Sequence, residues 1–188
     1  MKPQRSTETD FKIGEMCTYT GKKFAPLNPD PDLIDIRDIA HALAYIGRYG
    51  GHAHKFISVA DHSIRVTEKT SDENKLWALL HDASEAYLGD IPAPLKHSPE
   101  FSFYRDAEKN LMDAICDKFG LEKEEPKEIK YWDLVIRATE MRDLTSIPMN
   151  LIYNGDTPPL EEKFHPISSL GAETAFLSYA TMLGIYDG

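Results

Sequence analysis

Apolar residues recur along most of this chain at helical rather than strand spacing. Between Asp35 and Tyr49 they stand at Ile39, Leu43 and Ile46, and the pattern stops at Gly50-Gly51, which predicts an amphipathic helix ended by glycine. Ser58 is placed to cap a second helix running to about Lys69. A third is predicted from Ser71-Asp72 to Gly89, with Leu76, Leu80, Ala83 and Tyr87 on one face and the Pro92-Ala-Pro94 break beyond it. A long helix follows over Pro99–Phe119, with Phe103, Leu111 and Ile115 inward and Gly120 closing it. Another runs from Pro126 to Leu144, and the last from about Glu173 to Tyr186. Three stretches break the pattern. Thr18-Tyr-Thr-Gly-Lys-Lys-Phe24 reads as two short strands turning at Gly21, residues 1–10 as a frayed polar end, and 147–171, rich in Pro, Asn, Gly and Asp, as a functional flap. The expected fold class is all-α, a helical bundle with a small N-terminal β-hairpin. It forms a single domain over 1–188 with no internal repeat, low-complexity tract or linker.

Composition narrows the function. With 188 residues, 41% of them hydrophobic and 28% charged, the chain can build one sizeable core. A net charge of -10 argues against a nucleic-acid polymer as partner, since such proteins carry a basic face. A small anion stays compatible, because a metal and a few local cations can reverse the field inside one pocket. Cys17 and Cys116 are far apart and form no CxxC, so neither a disulfide framework nor a thiolate metal site is expected. No run approaches membrane-spanning length and no apolar stretch follows the N-terminal charges, which reads as a soluble cytoplasmic protein in a reducing compartment.

The chemistry is concentrated at His81-Asp82, inside the apolar run Leu-Trp-Ala-Leu-Leu-His-Asp-Ala-Ser-Glu-Ala-Tyr. A histidine and an acid in a buried helix are costly unless paired, and a divalent metal pairs both. Glu85 lies four residues after His81 and three after Asp82, so the three side chains can reach one side of one turn. The ordinary alternative is a hydrogen-bonded core histidine with surface acids. His62 sits among apolar neighbours one helix upstream, and Asp133 shares a helical face with Ile129 and Ile136. Taken singly these are a capped core histidine and a salt-bridged helix acid. Together the residues supply two imidazoles and two carboxylates.

The order His, then His-Asp, then a distant Asp resembles the HD-domain phosphohydrolases. More narrowly, five ordered motifs resemble the bacterial and prophage YfdR-type proteins, relatives of the YfbR 5'-deoxynucleotidases. They are Arg48-Tyr-Gly-Gly-His52, Ser58-Val-Ala-Asp-His62-Ser, His81-Asp-Ala-Ser-Glu-Ala-Tyr, Gly89-Asp-Ile-Pro-Ala-Pro-Leu-Lys96 and Asp133-Leu-Val-Ile-Arg-Ala-Thr-Glu-Met-Arg-Asp-Leu144. The likeness runs from about residue 18 to 180.

The resemblance implies an HD-domain fold with His62, His81, Asp82 and Asp133 as metal ligands, Glu85 and Asp90 as catalytic acids, and Arg48 as a phosphate contact. Lys96, Lys55 and His52 are candidate substrate contacts, each with an ordinary alternative as a solvated loop residue. Nitrogen and oxygen ligands of this kind suit one divalent ion from Co, Mn, Ni, Fe, Zn or Mg better than Ca. Only His97 offers a further histidine between Asp82 and Asp133, which favours a single ion. The implied activity is phosphate release from deoxyribonucleoside 5'-monophosphates by attack of an activated water. The alternatives are a deoxynucleoside triphosphate triphosphohydrolase, which needs more cations around the pocket, and a silent nucleotide-binding module. Trp132 is bulkier than the resemblance leads one to expect, and Phe101, Phe103 and Tyr104 fit a subunit contact in a homo-oligomer and core packing equally well.

Overall fold

The computed structural model describes residues 12–152 and 157–188 of the chain. It is mostly helical with one small two-stranded antiparallel sheet, as the sequence pattern predicts. Strand β1 (Met16–Cys17) pairs with β2 (Lys23–Phe24) in the register Met16 to Phe24. The first strand therefore precedes Thr18, and residues 18–22 form the turn, with Gly21 at φ +82. Asp38 accepts from the Thr20 amide at 2.6 Å and the Thr20 hydroxyl at 3.0 Å, which ties the hairpin down. Phe24 is fully buried and packs on Tyr87 with ring centroids 4.3 Å apart. The frayed end expected over 1–10 lies outside the described residues.

Asp35 caps α1 (Ile36–Tyr45), which ends four residues short of the expected Tyr49. Beyond it the chain is extended, Gly47 bridges Ser58, and Arg48–Gly51 forms a separate 3-10 turn. Ser58 caps α2 (Val59–Lys69) as predicted, accepting from the Asp61 amide. The predicted third helix is broken into a 3-10 turn at Asp72–Asn74, α3 (Lys75–Leu80) and α4 (Glu85–Leu88). Residues 81–84 between them keep the chain turning through tighter bonds, such as Ala83 N to Leu80 O and Glu85 N to Asp82 O. Gly89 at φ +82 stops α4.

Then follow α5 (Ala93–Lys96), a 3-10 turn at Pro99–Phe101, and α6 (Ser102–Phe119), closed by left-handed Gly120. Leu111 and Ile115 are fully buried, but Phe103 is 68% exposed. Eight residues before Leu111 a helix has turned about 80° away from that face, which is why Phe103 points outward. Next come α7 (Lys127–Leu144), the short α8 (Met149–Ile152) and α9 (Ser169–Met182). Ser168 caps α9, so this helix starts and stops four residues before the expected limits. Among the described residues no helix is long and apolar enough to cross a membrane.

α2 is the central element, packed by α1, α3, α7 and α9. It contributes Val59, Ala60 and Ile64 to one core cluster, with Ile39, Leu43, Leu80, Ile115 and Phe176, and Val66 to another, with Trp77, Ile129, Ile136 and Phe164. Trp132 packs against the second cluster and so is accommodated as a partly buried core residue. Of the expected flap over 147–171, residues 153–156 lie outside the described residues, and 160–167 are strapped down. Asp61 accepts from Ile167 N at 3.0 Å, Thr139 Oγ1 from Leu160 N at 2.9 Å, and Asp143 from Phe164 N at 2.7 Å, which binds 160–167 to α2 and α7.

Candidate metal and anion site

The contact of α2 with α7, and the end of α3 beside it, assemble the site. His62 on α2 is wholly buried, with Nδ1 2.8 Å from Glu140 Oε1 and Nε2 3.3 Å from Asp133 Oδ1, both acids on α7. His81, directly after α3, has Nδ1 2.7 Å from the Ala78 carbonyl and Nε2 3.2 Å from Asp82 Oδ2. The two imidazole centroids are 5.4 Å apart, and donor atoms of His62, His81 and Asp82 lie within 4.8 Å of one another. Three of the four residues expected as ligands thus share one donor cluster, and Asp133 adjoins it through its contact with His62.

The hydrogen bonds decide what these rings can do. A carbonyl oxygen and an ionised carboxylate only accept, so both Nδ1 atoms carry the proton that is donated. In the neutral rings each Nε2 then presents a bare lone pair. Both Nε2 atoms are buried without a hydrogen-bond partner, although carboxylate oxygens stand within 3.3 Å of them. Two lone pairs and two carboxylates, close together without being hydrogen-bonded at those nitrogens, make a donor set that could hold a divalent cation.

Charge is finely set here. Burial opposes a proton on His81, but the Asp82 carboxylate outweighs it and carries the ring up to about 9. Burial and Arg48 push His62 down, yet Glu140 and Asp133 leave it raised. Burial would lift Asp82 and Asp133, but the imidazoles hold both well below the usual carboxylate range. Glu85 is buried with its Oε2 partnerless, and burial, then the charges of Asp82 and Asp90, push it up to about 10. Asp90 is also raised, chiefly by burial, with Arg48 pulling the other way.

Arg48 is buried with Nε 3.1 Å from Glu140 Oε2 and Nη1 3.6 Å from Asp82 Oδ2. The Tyr49 hydroxyl donates to the same Glu140 oxygen at 2.7 Å. Tyr49 (φ +59) and Gly50 (φ +58) are successive left-handed residues, and Tyr49 is the one non-glycine with positive φ among the described residues. This kink lets neighbouring side chains reach one carboxylate.

Beside His81, Asp82 and Asp133 opens a cavity of about 300 Å³. Its lining holds Lys96, Arg105, Lys109, Lys123 and Lys130, matched by Asp82, Glu108, Asp113, Glu125 and Asp133, with no Phe, Tyr or Trp. Lys96 is paired with Glu108 at 2.6 Å and Lys130 with Asp133 at 2.8 Å. Of the expected site residues, His62, Arg48, Glu85, Asp90, His52 and Lys55 do not line this cavity; Arg48 reaches the site through Asp82 and Glu140, whereas His52 and Lys55 are exposed. Tyr104 donates to the Gly89 carbonyl at 2.8 Å, next to Asp90.

Sequence reasoning missed Glu140, Tyr49 and Glu125. Glu140 had a signal, since it stands seven residues after Asp133, two turns along the same helix face. Glu125 lines the cavity and feels His81, Asp133 and Asp82, but it arrives from the α6–α7 connection and no spacing announces it.

Comparison with known proteins places the chain. It is 41% identical over 128 residues to protein YfdR of Escherichia coli K12, covering 68% of this chain and 70% of the relative. The chain belongs to the YfdR family. An uncharacterized protein of Rhodobacter capsulatus is 37% identical over 120 residues, 59% of this chain and 61% of its own length. No protein-family model matches. The names of these YfdR relatives assign no activity, so function has to be argued from the site.

Proposed function

We propose that this protein is a metal-dependent phosphohydrolase with an HD-domain fold, releasing phosphate from nucleoside 5'-monophosphates, deoxyribonucleotides foremost. The observation that carries this reading is the pair of buried, partnerless Nε2 atoms of His62 and His81, flanked by Asp82 and Asp133. These four residues would hold the ion. A divalent cation there supplies Lewis acidity, stabilising charge on a phosphate ester and making water nucleophilic near neutral pH.

The chain's own residues supply the rest. Arg48, anchored through Nε with Nη1 on the Asp82 side, would neutralise phosphate oxygens. Water oxygen bonds to phosphorus as the ester P–O bond breaks. Glu85, whose proton affinity falls when positive charge joins Asp82, takes the water's proton. Asp90, with a raised pKa, delivers a proton to the leaving 5'-oxygen. The products are nucleoside and orthophosphate.

A second reading, triphosphate hydrolysis, is favoured by one observation: the cavity has five cations, matched by five carboxylates that a bound cation would partly offset, and no aromatic ring for a base. The test is product analysis from nucleoside mono-, di- and triphosphates with Mn, Co and Mg, beside an Asp82→Ala control. Orthophosphate from monophosphates, lost in the control, is the expected result. Tripolyphosphate would establish the second reading, and nucleotide binding without release under any metal would leave a binding module.

A further inference from the structure

We infer that Glu140 and Tyr49 are positioning residues that link the orientation of the metal ligand His62 to that of Arg48, an inference that rests on the metal-centred reading above. Glu140 is completely buried, and its two oxygens accept from three donors on two other parts of the chain. Oε1 takes His62 Nδ1 at 2.8 Å, while Oε2 takes Arg48 Nε at 3.1 Å and Tyr49 OH at 2.7 Å. One side chain therefore sets the proton on the far side of a candidate ligand ring and fixes the guanidinium beside Asp82.

The turn that feeds this carboxylate is strained. Tyr49 adopts a left-handed backbone conformation that a tyrosine rarely takes, and such strain persists where surrounding contacts over-determine it. Its result is that Arg48 and Tyr49, adjacent in sequence, both end on Oε2. If Glu140 served only to neutralise Arg48, a relaxed turn would do.

The chemistry also excludes the nearest substitute. A glutamine offers one acceptor oxygen and one amide donor. With its oxygen toward His62, the amide confronts the Arg48 donor. With the oxygen turned toward Arg48, the amide faces His62 Nδ1, which must then give up its proton and move it to Nε2. In both orientations the negative charge that makes His62 a strong ligand is gone.

The test uses Glu140→Gln and Tyr49→Phe in the full chain. Glu140→Gln is expected to weaken Zn²⁺ and Co²⁺ affinity about 10- to 100-fold. Tyr49→Phe is expected to leave metal affinity within about twofold and to raise KM about threefold with kcat little changed, because only the hold on Arg48 loosens. The ring-nitrogen NMR spectrum of wild-type protein loaded with Zn²⁺ should show His62 bound through Nε2 with Nδ1 protonated, and this stands even if Glu140→Gln does not fold. Metal held through His62 Nδ1, unchanged metal affinity in a folded Glu140→Gln, or unchanged KM in Tyr49→Phe would overturn the inference. Wild-type protein that takes up no metal would overturn the reading beneath it, and metal content shows that separately.

Discussion

Asp133 and Glu140 stand two helical turns apart on α7 and address opposite nitrogens of one imidazole, Asp133 Oδ1 at 3.3 Å from His62 Nε2 and Glu140 Oε1 at 2.8 Å from His62 Nδ1. Only one of these approaches is a hydrogen bond. A single helix face thus carries both carboxylates that flank this imidazole, and under the proposed function the consequences can be measured.

Metal uptake should release protons. Without an ion His81 is raised to about 9 by Asp82, so at pH 7 the cation has to displace a proton from the ring. Affinity should therefore fall as pH is lowered from 9 to 6. Titration calorimetry in buffers of different ionisation enthalpy should find more protons released at pH 7 than at pH 10, and equal release at the two would contradict the assignment of His81.

Glu85→Gln should stabilise the metal-free protein while removing turnover. The folded-state pKa of about 10 lies above the ordinary 4.5, so this carboxyl favours folding below pH 4.5 and costs stability progressively as pH rises toward 10. Glutamine has no such cost. The gain in Tm over wild type should be near zero at pH 4 and grow to several degrees by pH 8, on the scale of about 2–4 °C per kcal/mol for a chain of this size. A thermal melt series across pH reads it directly.

Asp61→Ala should release the strap. The Asp61 carboxylate is fully buried and accepts from Arg65 Nε at 3.2 Å and Ile167 N at 3.0 Å, so truncation leaves the Ile167 amide without its acceptor, while Arg65 keeps Glu68 and the His165 carbonyl. The expected loss is about 2–4 kcal/mol in urea unfolding. Limited proteolysis should then cut within 157–168 faster than in wild type, and equal cutting would show that the strap is held by other contacts.

Lys96→Met and Lys123→Ala should separate the proposed substrate cavity from the candidate metal cluster. Both lysines line the cavity and neither contacts His62, His81 or Asp133. KM for a phosphorylated substrate should rise about three- to tenfold in each, with metal affinity unchanged. A larger effect on triphosphates than on monophosphates would identify this cavity as a polyphosphate track.

The helix pattern carried most of the fold, because apolar residues at helical spacing and terminators such as Gly120 act locally. Its failures are local conflicts resolved by packing. The predicted helix from Ser71 to Gly89 breaks after Leu80, where 81–84 tighten into three-residue turns while His81 and Asp82 face one another. Spacing along a continuous helix placed Asp82 and Glu85 together, and the tighter turn keeps them so, since residues three apart lie over one another there.

What the sequence by itself determined was a helical chain, its caps, and a set of histidines and acids too costly to bury unpaired: His62, His81, Asp82 and Asp133. Only the tertiary structure decided that they meet, that Glu140, Arg48 and Tyr49 close behind them, that the cations of α6 and the α6–α7 connection face the same cavity, and that His52 and Lys55 stand apart. The physical reason is range. Capping and periodicity act within a few residues, whereas a buried imidazole between Asp133 and Glu140 depends on α2 and α7, separated by 78 residues at the His62–Glu140 bond, packing face to face.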